Sequence, residues 1–208
     1  MDWANIAGSL AMLLVFAIGL PLALRKRKKG GPQKMGEFLE HLQKIGVKAT
    51  LVERGAGEEK VGIGRGSGQR SEGVIEIRER NIDYVNVISI ASQYGVRYAL
   101  DYLVRSPNWL GQKKRRKTKM VIKKSSAIGG KVVDIEWKGD DYLSRVLNYD
   151  YQLKDRLLQT EPGELKGGIT IFPEVKHEYS RIRTGYLMPS ADLFEAIDII
   201  AGHVKAGW

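Results

Sequence analysis

Residues 6–24 read IAGSLAMLLVFAIGLPLAL and carry no charged side chain. A helix rises about 1.5 Å per residue, so this stretch would reach roughly 28 Å, close to the hydrocarbon thickness of a bilayer. Five basic residues follow directly: Arg25, Lys26, Arg27, Lys28 and Lys29. A buried helix of a soluble protein would show a polar face, and here only Ser9 is overtly polar. A cleavable secretory signal carries its cations before the apolar core; here Asp2 precedes the core and the cations follow it. Pro21 is tolerated near the end of a span, and Trp3 suits the opposite interface.

Cations beside a span stay on the cytoplasmic side. The expected arrangement is therefore a single-pass, uncleaved transmembrane anchor over residues 1–24, with the N-terminus outside the cell membrane. A basic flexible linker over 25–34 follows, because GGPQK combines glycine with a proline that lacks a donor. Residues 35–208 then form a cytoplasmic domain. They suffice for one real core, or for two sub-domains divided near 107–130.

The domain reads as α+β. MGEFLEHLQKIG places Met35, Phe38, Leu39, Leu42 and Ile45 on one helical face, and Gly46 ends it. Residues 47–52 and 74–77 read as short strands, with a glycine-rich loop over 54–73. Ile82, Val85, Ile88 and Ala91, spaced by threes, predict a helix over 81–94. VRYALDYLV alternates and predicts a strand. Residues 119–123 and 131–137 form a hairpin joined by SSAIGG. Asp140 or Asp141 caps a helix, which breaks near Asn148 so that Asp150 caps a second one. Residues 168–172 and 178–186 read as an antiparallel pair, with Pro173 near an edge or strand end. Ser190 opens a last helix with the stripe Leu193, Phe194, Ile197 and Ile200. Strands not regularly separated by crossover helices imply mostly antiparallel sheet.

Functional signals are sparse. The chain has 34 basic and 24 acidic residues, a formal net charge of +10, and no cysteine. That excludes disulfides, thiolate metal sites and cysteine nucleophiles. His41, His177 and His203 follow no metal-ligand spacing, and no serine has a nucleophile-elbow context. No catalytic residue, metal or cofactor is expected, and an enzyme is the less favoured reading. GIGRGSG at residues 62–68 lacks the Gly-Lys-Ser/Thr ending and the glycine spacing of phosphate loops, so it reads as a mobile, empty surface loop. Tyr179, Arg181 and Arg183 alternate along one strand as a polar face.

The main candidate is the basic run KKRRKTK. It groups Lys113, Lys114, Arg115, Arg116, Lys117 and Lys119, with Trp109 just before. Beside a bilayer with an anionic inner leaflet, such a cluster suits lipid headgroups. The preferred reading is an anchored cytoplasmic interaction domain that binds a partner protein or the anionic leaflet. The alternatives are an anchored enzyme or nucleotide-binding domain using the 62–68 loop, and a tethered nucleic-acid binder using 113–119.

Overall fold

The computed structural model describes residues 20–53, 55–64, 68–106, 115–126, 132–161 and 163–207. Their order is α1 (Leu20–Lys44), β1 (Ala49–Leu51), β2 (Gln69–Ile77), β3 (Tyr84–Ser92), β4 (Gly95–Arg105), β5 (Thr118–Lys124) and β6 (Val132–Lys138). Then come α2 (Asp141–Tyr149), α3 (Tyr151–Gln159), β7 (Thr170–Glu174), β8 (Tyr179–Gly185) and α4 (Ala191–Gly207). The fold is α+β. Eight strands form one antiparallel sheet in the order β1-β2-β3-β4-β8-β7-β5-β6.

Strand alternation sorts side chains between two unlike faces. One face carries Ile75, Val85, Val87, Leu100, Tyr102, Ile182, Ile171, Met120 and Trp137, all buried in one apolar core. The helices cover this face with Phe38 and Leu42 from α1, Leu143 and Leu147 from α2, Leu153 and Leu157 from α3, and Phe194 and Ile197 from α4. Strands on both sides of residues 107–130 contribute to this one sheet and core.

Local chemistry sets the helix starts. Asp140 accepts from the amides of Tyr142 and Leu143, Asp150 from that of Leu153, and Ser190 from that of Leu193. Each side chain satisfies amides that the first helical turn leaves open. Asp198 of α4 is buried, and its carboxylate receives the backbone amides of Asn81 and Ile82 at 2.8 and 3.1 Å. That contact fixes α4 across the β2–β3 connection. Pro173 pairs with Ser180 of β8, beyond the short stretch where β7 meets β5, so its missing amide interrupts no ladder.

Three expectations are corrected. Residues 81–94 do not form a helix: Tyr84–Ser92 is strand β3. The run YVNVISIAS is rich in β-branched residues, and both of its faces are buried, so the three-residue spacing carried no helical meaning. The linker expected over 25–34 is helical backbone within α1, with Pro32 inside the helix. The segment just beyond it is held by docking. Met35 lies against Gly73, where any side chain would collide with its sulfur, while Phe38 and Leu42 are fully buried. Strand β2 also begins at Gln69, earlier than the expected strand over 74–77.

No helix among the described residues is long and apolar enough to cross a membrane. Of the expected span, residues 6–19 lie outside the described residues, and residues 20–24 open α1.

The docking of α1 gives a pH prediction. The Tyr186 hydroxyl donates to the Lys34 carbonyl at 2.7 Å. Burial, then the charges of Glu37 and Tyr98, push this phenol from 10.0 up to about 12. Because the folded value lies above the unfolded one, the contribution is complete below pH 10 and is lost between pH 10 and about 12. Partial solvent exposure moderates its size. Urea unfolding at pH 9 and pH 11.5 should show lower stability at the higher pH. Tyr186→Phe should reduce that difference; an unchanged difference would assign it wholly to other groups.

Candidate functional site

The sheet face opposite the α-helices buries Ile88 and Leu103 but is polar at its centre. Register places Asn86 of β3 across from Asp101 of β4, and Asp101 across from Arg183 of β8. Arg181 lies across from Phe172 of β7, and Arg183 from Thr170. Side chains from β4, β7 and β8 therefore meet at the centre of one sheet face.

Their core is an ion network. Asp101 is fully buried and accepts two bonds from Arg183, at 2.6 Å from Nε and 2.7 Å from Nη2. Arg181 approaches the same carboxylate at 3.4 Å through Nη1 and donates to Glu174 at 3.0 and 2.7 Å. Arg183 also donates to Gln69 at 3.2 Å. Such charge-assisted, forked bonds are among the stronger polar contacts in proteins. Phe172 adds an aromatic surface: the Arg181 guanidinium sits 4.3 Å from its ring centre, with Arg183 and Lys117 each at 5.9 Å.

The glycine-rich segment packs onto this network. Gly62 adopts φ +73°, a conformation that favours glycine, and a Cβ there would collide with the Arg181 guanidinium. Val61 beside it is buried with Leu103 and Tyr179, and Tyr84 packs against them. A hydrogen-bonded chain closes the edge: Arg105 donates to the Tyr179 hydroxyl at 3.1 Å, which donates to Glu58 at 3.4 Å. Burial raises the Tyr179 phenol above its usual value, and Arg105 partly opposes this. The start of the segment read as a mobile loop is thus anchored; Arg65, Gly66 and Ser67 lie outside the described residues.

The basic run divides. Trp109, Lys113 and Lys114 lie outside the described residues. Arg115 is partly buried just before β5. Arg116 pairs with Asp141 at 2.8 Å, and its amide donates to Asp140 at 3.2 Å, so it braces the start of α2. Lys117 and Lys119 are exposed, and among the described residues neither has a carboxylate within salt-bridge distance. They share the helix-free side with Phe172. Arg25, Lys26, Arg27, Lys28 and Lys29 belong to the helical backbone of α1.

The histidines are separated. His41 meets the Pro189 carbonyl at 2.7 Å, His203 meets Asp150 at 2.7 Å, and His177 lies in a 3-10 turn. Among the described residues, no group of three His, Cys, Asp or Glu is placed to hold a metal. The arrangement offers exposed cations beside an internally neutralised arginine cluster, which suits reversible attraction of anions. Sequence reasoning noted Tyr179, Arg181 and Arg183 but missed Asp101, Glu174 and Phe172. Only the pairing of β4, β7 and β8 brings these together, and no local spacing reports it.

The chain matches no protein-family model, no curated protein and no solved structure.

Proposed function

We propose that this is a single-pass membrane-anchored protein whose cytoplasmic α+β domain binds anionic headgroups of the inner leaflet through its helix-free sheet face. The observation that carries the reading is the placement of Lys117 and Lys119: both exposed and without carboxylate partners among the described residues, with Lys117 5.9 Å from the Phe172 ring centre and Lys119 across from Thr170 on the same sheet face. Arg181 and Arg183 contribute less free charge, because Glu174 and Asp101 already neutralise them. Each cation near an anionic leaflet contributes about 1 kcal/mol, over a range limited by salt.

The uncharged stretch over residues 6–24, followed directly by five basic residues, supports the anchoring. A helix continuing from Leu24 to Met35 is roughly 16 Å long, so for Lys117 and Lys119 to reach the headgroups it lies along the bilayer surface rather than upright. The glycine loop is a weaker site for nucleotide, since Gly62 faces an arginine whose donors Glu174 and Asp101 already engage. Base stacking on Phe172 is opposed by the guanidinium already placed against its ring.

The test uses the full chain reconstituted in phosphatidylcholine bilayers with and without phosphatidylserine, followed by amine labelling and peptide mapping. Lys117 and Lys119 should label several-fold more slowly with phosphatidylserine at low salt, and recover at about 0.5 M salt. Equal labelling in both bilayers would remove the lipid role. Recovery of the chain outside the bilayer fraction would remove the anchor.

A further inference from the structure

The sheet has a gap on the β7 side of β5. Strand β7 pairs with β5 only at Thr118↔Ile171 and Lys119↔Thr170, and one more bond runs from the Met120 amide to the Ile169 carbonyl at 2.9 Å. The chain preceding Ile169 then turns away through Leu165–Gly168. Main-chain groups in a strand alternate sides, so the amide and carbonyl of Ile122 point the same way as those of Met120. On that side Ile122 has no backbone partner among the described residues. The gap is a cleft of about 470 Å³, bounded by β5 on one side and by Leu165, Lys166, Gly167 and Gly168 on the other.

Its lining has two characters. Ile122 and Val132 are partly buried against the apolar core, and Leu165 belongs to it. Lys119, Lys124 and Lys166 are exposed at the cleft, and among the described residues no acidic side chain lines it. An open strand edge needs a partner that offers both donors and acceptors at strand spacing, as peptide backbone does. A phosphate headgroup offers acceptors alone.

We infer that this cleft binds a short, extended acidic segment of a partner protein by strand addition to β5 at Ile122, with the segment's carboxylates meeting Lys124 and Lys166. Lys124 pairs with Val132 and lies two residues from Ile122, so both are on one sheet face; that face of the segment carries an apolar side chain over Ile122 and Leu165 and, two residues along, a carboxylate at Lys124. Charge complementarity selects the acidic partner, and main-chain bonding sets its direction. This site is separate from the lipid-facing role of Lys117, and its test omits Lys119, which borders both.

The test is fluorescence anisotropy on the detergent-solubilised full chain, with three labelled, end-blocked hexapeptides. The first places Val and Glu in turn at every second residue with Ser between them (the Val-Glu peptide), the second has Lys in place of Glu (the Val-Lys peptide), and the third is the Val-Glu peptide N-methylated at alternate amides. The Val-Glu peptide should bind, the Val-Lys peptide should bind about tenfold more weakly or not at all, and N-methylation should abolish binding. Lys124→Glu and Lys166→Glu, each with an unchanged far-ultraviolet spectrum and melt, should each weaken Val-Glu binding about tenfold. A free Val-Glu peptide should compete, whereas inorganic phosphate at matched charge should not. Absence of Val-Glu binding, equal binding of the N-methylated peptide, undiminished binding by both lysine variants, or full displacement by phosphate would each overturn the proposal. Lysine labelling in bilayers does not depend on any of these outcomes.

Discussion

Asp101→Asn should lower the unfolding free energy by about 3–5 kcal/mol, the cost of breaking a buried charge pair by removing one partner. Asp101 has no solvent exposure, and Arg181 and Arg183 are largely buried beside it. The amide keeps the shape but removes the charge. Arg181 then retains Glu174, whereas Arg183 retains Gln69, a neutral partner. Arg183 is therefore the cation left uncompensated. Urea unfolding followed by the fluorescence of buried Trp137 measures the loss. A change below about 1 kcal/mol would mean that water reaches the arginines and that the network is not a low-dielectric site. Arg183→Leu in the Asp101→Asn background should recover part of the loss, since replacing both partners removes the stranded charge.

Phe194→Ala should cost a similar amount, about 3–5 kcal/mol, through lost burial and the cavity left behind. Phe194 is 1% exposed, and its ring meets the Tyr102 ring in a tilted, edge-on contact at 6.3 Å. Tyr102 is itself fully buried at the sheet centre, so the cavity would open where α4 joins β4 and little can collapse into it. The same urea titration checks this. A loss below about 1.5 kcal/mol would show that α4 shifts to refill the space. The Asp101 and Phe194 sites lie on opposite faces of β4, so their effects should add within about 0.5 kcal/mol.

How much was legible depended on whether the deciding contact was local. The α4 stripe of Leu193, Phe194, Ile197 and Ile200 is one helical face meeting one core, and all four are buried. Asp140 and Asp150 cap within three residues of themselves, so their roles were readable too. Strand β4 declared itself by alternation because its two faces differ: Leu100, Tyr102 and Val104 meet the core, while Asp101 meets arginines. Strand β3 hid itself because apolar residues fall on both of its covered faces, Val85 and Val87 on one and Ile88 on the other, so no alternation shows. Residues 30–34 looked like a linker because glycine and proline lower helix propensity, a local preference that tertiary docking overrides. The cluster around Phe172 was illegible for the opposite reason. Each member is unremarkable in its own segment and acquires meaning only from pairings between distant strands.

The pairing of β4 with β8 has a consequence for the order of folding. Asp101 finds its cations only in the last strand, some eighty residues downstream. Until that strand docks, β4 is the outer edge of a four-stranded β1–β4 sheet, and Asp101 stands in the middle of it. A charge at that position discourages another chain from adding to the edge, because the newcomer would bury it without compensation. The native occupant alone brings two guanidiniums in register. One aspartate thus makes the open edge of β4 costly for any strand that brings no cations to meet it.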